Sequence, residues 1–197
     1  QSVNYVESHD NMTLADKINA SVKDVKPSDT AQLSQFSASI AFLSQGLPFM
    51  QAGQEFLRSK NSDPNSYKSS DEVNSMKWST RKSNIVTVDY YKGLIALRKA
   101  HPAFRMTTTA QVKSNLKFLV SAEGSIAYSL NGAAVKDKAA TIVVLHNATT
   151  GDQIFTLPKT GTWSVLVEGA KAGTTVIRKF TGASLTVKGR STVVISQ

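Results

Sequence analysis

The feature that most constrains this 197-residue sequence is a change of hydrophobic period near residue 104. Before it, short extended runs alternate with apolar residues at helical spacing. After it, short β-rich runs separated by Gly, Asn, Lys and Asp continue to the end. Strand–helix alternation calls for a parallel sheet with helices outside it, because a parallel crossover needs a long connection. Short strands with turn residues between them call for antiparallel pairing. The expected fold class is therefore α/β followed by all-β, with domains at 1–103 and 104–197.

The first half reads in order. Val3-Asn4-Tyr5-Val6 is a strand with no lead-in, as expected of a piece of a longer chain, and a polar loop follows it. A helix begins near Pro27, with Ser28 or Asp29 as its N-cap, and places Leu33, Phe36, Ile40 and Leu43 on one face. Gly46 stops it. Leu47 to Ala52 suits a buried strand, and a long polar loop runs from about Arg58 to Asn84. A second helix spans about Val86 to Ala100, with Tyr90, Leu94 and Leu97 on one side, and Pro102 marks its end. Two such units cannot close a parallel sheet, so neighbouring strands from elsewhere are expected.

In the second half, strands are expected at Leu116–Val120, Ile126–Leu130, Thr141–Leu145, Ile154–Leu157, Trp163–Val167, Thr175–Phe180, Ser184–Val187 and Thr192–Ile195. Their spacing suits an antiparallel β-sandwich. With no cysteine, the chain has no disulfide scaffold and no thiolate chemistry. No apolar run is long enough to span a bilayer, so membrane insertion is not expected, and the first residues lack a signal-peptide pattern. The net charge of +9 is uneven: residues 1–103 hold 12 Lys and Arg against 10 Asp and Glu, and residues 104–197 hold 11 against 4. The basic residues of the second half are scattered, without alternating aromatics, which suits a solvated surface better than a nucleic-acid interface.

Chemistry concentrates after the first strand, in Glu7-Ser8-His9-Asp10-Asn11. Ligands of parallel α/β barrels bind at the C-terminal ends of strands. Asp10 can accept hydrogen bonds from ring hydroxyls and offset charge at an oxocarbenium-like centre, and His9 can donate to a hydroxyl. The same residues also read as a capped loop with a hydrogen-bonded His. The other histidines, His101 and His146, lie far away in unrelated contexts, so neither a metal nor a cofactor is expected. Trp163 is either a sugar platform or a core residue.

These residues resemble a family. Val6-Glu7-Ser8-His9-Asp10-Asn11 is similar to the fourth sequence block of the α-amylase superfamily of glycoside hydrolases, and Gln45 to Phe56 resembles the last barrel strand and its loop. Asn65 to Asn74, with Trp78, resembles a block of type I pullulanases, and Leu97 to Phe104 resembles their closing helix. The resemblance implies the C-terminal part of a (β/α)8 barrel followed by a β-sandwich, in an enzyme that cleaves α-1,6-glucosidic bonds of pullulan and starch-type glucans. It implies a retaining mechanism with an Asp nucleophile, a Glu acid/base and a third carboxylate. The third maps onto Asp10, with His9 beside it as a substrate contact. The other two belong to upstream barrel strands, so the chain alone is expected to be inactive, and Glu55 does not replace them. Asn65, Tyr67 and Asp71 become candidate glucan contacts. A polymeric substrate places such an enzyme outside the cell or at its surface. An α-1,4-acting relative, and a non-catalytic carbohydrate-binding or cell-surface module, remain alternative readings.

Overall fold

A computed structural model describes residues 2–197. Strand β1 (Val3–Asn4) pairs in parallel with β2 (Leu47–Pro48), Val3 opposite Leu47 and Asn4 opposite Pro48. Between them lie α1 (Leu14–Ser21) and α2 (Pro27–Leu43). Helix α1 falls where a loop was expected. Its signal is local: Thr13 is the N-cap and its hydroxyl accepts from the Asp16 amide at 3.2 Å.

The start of α2 corrects the expected cap. Lys26 holds the N-cap position, and Asp29 sits in the first turn and accepts the Lys26 amide at 3.1 Å. Its buried surface also differs from the apolar face read in the sequence. Phe36 and Leu43 are buried, but Ile40 is exposed and Leu33 half-buried. Ser34 and Ser39 are fully buried instead, bonded to the phenols of Tyr91 at 3.0 Å and Tyr90 at 2.7 Å. The hydroxyls satisfy the tyrosines inside an otherwise apolar contact.

The strand expected at 47–52 is short and not buried. Leu47 is 57% exposed and Phe49 46%. After Pro48 the Phe49 amide still donates to Asn4 O, and the chain then turns through Gly53 at φ +100°. Beyond it come two short helices, α3 (Asp71–Asn74) and α4 (Ser79–Ser83), and the long α5 (Ile85–Ala100). Arg98 of α5 donates to the carbonyls of Phe42, Ser44 and Gly46 at 2.6–2.8 Å, serving the free carbonyl end of α2.

After a short helix, α6 (Thr109–Asn115), the rest is antiparallel: β3 (Leu116–Leu119), β4 (Ser125–Asn131), β5 (Thr141–Asn147), β6 (Gln153–Glu168), β7 (Lys171–Ala172), β8 (Arg178–Val187) and β9 (Ser191–Ser196). Two pairs of expected strands merge. Ile154–Leu157 and Trp163–Val167 are parts of the 16-residue β6, and β8 spans Ser184–Val187 with the second half of the Thr175–Phe180 run. The seven strands form one sheet, in the order β3-β4-β5-β9-β6-β7, with β8 also on β6. A register shift between Thr156 and Gly161 separates the two ends of β6. Its first part pairs with β8, and its last part also meets β9.

Period-two alternation gives this sheet two buried faces. Val143 and Leu145 of β5 join Phe155, Leu157, Trp163, Leu185, Val193 and Ile195 in one core. Trp163 is fully buried there, which removes it as a sugar platform. Ile142 and Val144, one residue out of phase, join Tyr128, Leu130, Leu166 and Val194 against Phe42 and Leu43 of α2 and Tyr90, Tyr91, Leu94 and Leu97 of α5. The helices of the first half therefore share a core with the sheet of the second.

Candidate functional site

Parallel pairing puts the C-terminal ends of β1 and β2 on the same side, so the segments that follow them leave from one edge. His9 and Asp10 stand in the segment after β1, both side chains 86% exposed, with His9 Nε2 3.5 Å from Asp10 Oδ2. Asn11 follows at φ +69°, and its side chain accepts the Met12 amide at 2.8 Å. This is a tight, locally bonded turn that leaves a carboxylate and an imidazole open to a ligand.

The turn is anchored from beneath. Glu7 is buried, and its Oε2 accepts the Leu14 amide at 2.9 Å. Burial pushes its carboxyl up to about 7, against smaller lowering effects of the Leu14 amide, Arg58 and Lys60. Asp16, in the first turn of α1, reaches the long loop: it accepts the Ser59 hydroxyl at 2.6 Å and the Lys60 amide at 2.8 Å. Lys60 is buried and donates through Nζ to Ser66 Oγ at 2.8 Å. The first turn of α1, which carries both Leu14 and Asp16, thus joins the base of the His9–Asp10 turn through polar contacts to the segment carrying Asn65, Tyr67 and Asp71.

In that segment, residues 66–68 form a single 3₁₀ turn. Asp63 shapes it by accepting the Asn65 amide at 2.8 Å and the Ser69 hydroxyl, and these bonds hold its carboxyl below the usual range. Asn74 closes it, donating to Ser66 O at 2.6 Å and Ser69 O at 3.0 Å. Tyr67 is 74% exposed, and Asn65 and Asp71 are exposed as well. Glu55 has a local task, accepting the Gly53 amide at 3.0 Å. Trp78 lies against the buried Phe56, ring centroids 5.7 Å apart.

Reading the sequence picked out the exposed members of this arrangement and passed over its supports, Asp16, Lys60 and Asp63. One signal was present. Thr13-Leu14-Ala15-Asp16 has the spacing of a helix N-terminus and marks both α1 and the buried Asp16. Nothing in the sequence spacing pairs Asp16 with Lys60, 44 residues later.

A family model described as "Pullulanase, all-beta domain" matches residues 112–171. The pullulanase of Bacillus subtilis is 37% identical over 99% of the chain, which spans 27% of that protein. An isoamylase of Pseudomonas amyloderamosa is 29% identical over 80% of the chain and 25% of its own length. Among solved structures, a pullulanase from Bacillus acidopullulyticus superposes with a TM-score of 0.95 at 38% identity, over all of this chain and 24% of that one. A pullulanase from Paenibacillus barengoltzii in complex with maltohexaose and α-cyclodextrin superposes at 0.87 and 38% identity, over all of this chain and 30% of that one.

The chain matches the C-terminal region of debranching glycoside hydrolases, the class that holds the pullulanases and isoamylases. Within that class the chain is similar to pullulanases over its whole length at 37–38% identity, and residues 112–171 match their all-beta domain. The chain spans about a quarter of the length of these relatives.

Proposed function

We propose that this chain is the C-terminal part of a debranching hydrolase that cleaves α-1,6-glucosidic bonds in pullulan and branched starch-type glucans, with Asp10 as its third catalytic carboxylate. The observation that carries this reading is the exposed His9–Asp10 pair at the end of a parallel strand, the position where α/β barrels bind ligands. Asp10 stabilises the oxocarbenium-like transition state by its charge and by bonds to ring hydroxyls. His9 donates to a neighbouring hydroxyl, and Asn65, Tyr67 and Asp71 contact the glucan from the second loop.

Residues 1–103 supply the end of a (β/α)8 barrel, and residues 104–197 supply the sheet domain behind it. The exposed Val3, Tyr5, Leu47 and Phe49 support this, since two short parallel strands leave open edges and apolar side chains that further strands would cover. The nucleophile and acid/base stand on those further strands. A maltohexaose complex of a pullulanase relative supports a glucan as ligand. A substrate the size of pullulan places the enzyme outside the cell or at its surface.

The test has two parts. The purified chain releases no reducing sugar from pullulan; measurable release would refute the need for upstream carboxylates. In the complete enzyme, Asp10→Asn keeps the fold and lowers turnover at least about a hundredfold, because it removes charge the transition state needs. Near-normal turnover would remove Asp10 from the mechanism.

A further inference from the structure

We propose that Glu7 is the positioning residue for the His9–Asp10 pair: its carboxyl accepts the Leu14 amide, closes residues 8–13 into a loop, and so sets where Asp10 stands. The inference rests on the reading of Asp10 given above.

The contrast in exposure motivates it. His9 and Asp10 are each 86% exposed and contact each other through side chains at 3.5 Å, whereas Glu7 is 3% exposed. Two loosely held side chains at the surface need their backbone placed from elsewhere. The Glu7–Leu14 bond spans the whole turn and ends on the first residue of α1, so it ties the turn to a regular element. A bond of this kind fixes an active-site carboxylate more firmly than surface contacts do.

The surroundings of Glu7 make the device sensitive to protonation. Asp16 faces it from α1, Arg58 and Lys60 from the loop after β2, and the Tyr91 phenol from α5. Tyr91 stays neutral, pushed up to about 12 by burial. Asp16 is occupied with Ser59 and Lys60, and Arg58 Nη2 donates to Asn74 O. Neither Glu7 Oε1 nor Arg58 Nε, both buried, has a hydrogen-bond partner among the described protein groups. Burial favours the neutral acid and raises the carboxyl to about 7. Ionisation leaves a charged oxygen buried beside Asp16, which favours opening of the turn toward water. Turnover should therefore carry an alkaline decline that originates at Glu7.

Glu7→Gln and Glu7→Ala in the complete enzyme, beside Asp10→Asn, test this. The alanine variant should lose about a hundredfold in kcat with little change in KM for pullulan, as expected when a reacting group is displaced by about 1 Å. The glutamine variant keeps an acceptor for the Leu14 amide, so it should retain most of kcat and lose the alkaline decline near neutrality. In the chain itself, the Leu14 amide resonance should titrate near neutrality in the native protein and stay constant in Glu7→Gln. Native kcat in Glu7→Ala, with Asp10→Asn inactive, would overturn the proposal. If Glu7→Ala fails to fold, an unchanged pH profile in Glu7→Gln would overturn it instead. If Asp10→Asn is fully active, the catalytic reading of Asp10 fails, and a Leu14 resonance that does not titrate would still sink the Glu7 anchor on its own.

Discussion

His101, at the end of α5, places its Nδ1 2.7 Å from Oδ1 of Asp137 in the loop between β4 and β5, with both side chains out of contact with water. The same carboxylate accepts the amides of Ala103 at 3.1 Å and Ala139 at 3.0 Å. One carboxylate thus joins the helical half to the sheet half. Asp137→Ala leaves an imidazole and two amides buried without their acceptor, and it should cost about 3–5 kcal/mol. The urea midpoint of the chain measures this. A loss below about 1 kcal/mol, the range of an exposed pair, would show that the contact does not hold the halves together.

Gly93 lies on the face of α5 that meets β7. A Cβ there would stand 2.0 Å from the carbonyl oxygen of Ala172. Helix propensity alone says that Gly93→Ala should stabilise the chain by about 1 kcal/mol. Overpacking against a backbone atom costs about 1–3 kcal/mol or more and should win. Thermal unfolding should therefore show a lower Tm, and a raised Tm would mean that β7 moves away freely.

Two buried groups should give the chain opposing pH dependences. His146 is pushed down to about 4 by burial, held by a 2.8 Å bond between Nδ1 and Thr192 and flanked by Phe36 and Tyr128. Its contribution is complete above its ordinary value of 6.5 and is lost as pH falls through about 4. Glu7, raised to about 7 from 4.5, has the opposite sign: its contribution is complete below 4.5 and is lost as pH rises through about 7. In Glu7→Gln, denaturant midpoints should fall more steeply with acid than in the native chain. In His146→Gln, they should rise as pH falls from 7 toward 4.5. Parallel profiles for all three proteins would contradict both assignments.

The sheet should not survive without the helices. Residues 104–197 alone would uncover Tyr128, Leu130, Ile142, Val144, Leu166 and Val194, which pack on α2 and α5. A contiguous apolar face of this kind drives association. The truncated piece should aggregate, or bind a hydrophobic dye strongly, where the full chain does not. A monomeric, cooperatively folding piece would show that its second core, around Trp163, is sufficient.

Periodicity alone located α2 and α5, the strands β3, β4, β5 and β9, and the change from α/β to antiparallel architecture. These are local patterns: an alternating run such as Thr141 to Leu145 or a helical spacing such as Tyr90, Leu94 and Leu97 is written in consecutive residues. His9 and Asp10 stand out in the sequence as a polar cluster after a strand, whereas Asn65, Tyr67 and Asp71 are singled out only by the resemblance of residues 65–74 to a pullulanase block. The tertiary structure decided what the strands join and what supports the site. Whether 154–157 and 163–167 are two strands or one depends on β8 and β9 pairing along β6. The burial of Ser34 and Ser39 depends on two tyrosine hydroxyls more than 50 residues away. Glu7 looks like one more polar residue of its loop until α1, Arg58 and Tyr91 close around it. Hydrophobic period is a property of neighbours in sequence, whereas the solvation of a single carboxyl is set by whatever the fold brings against it, and no spacing along the chain records that.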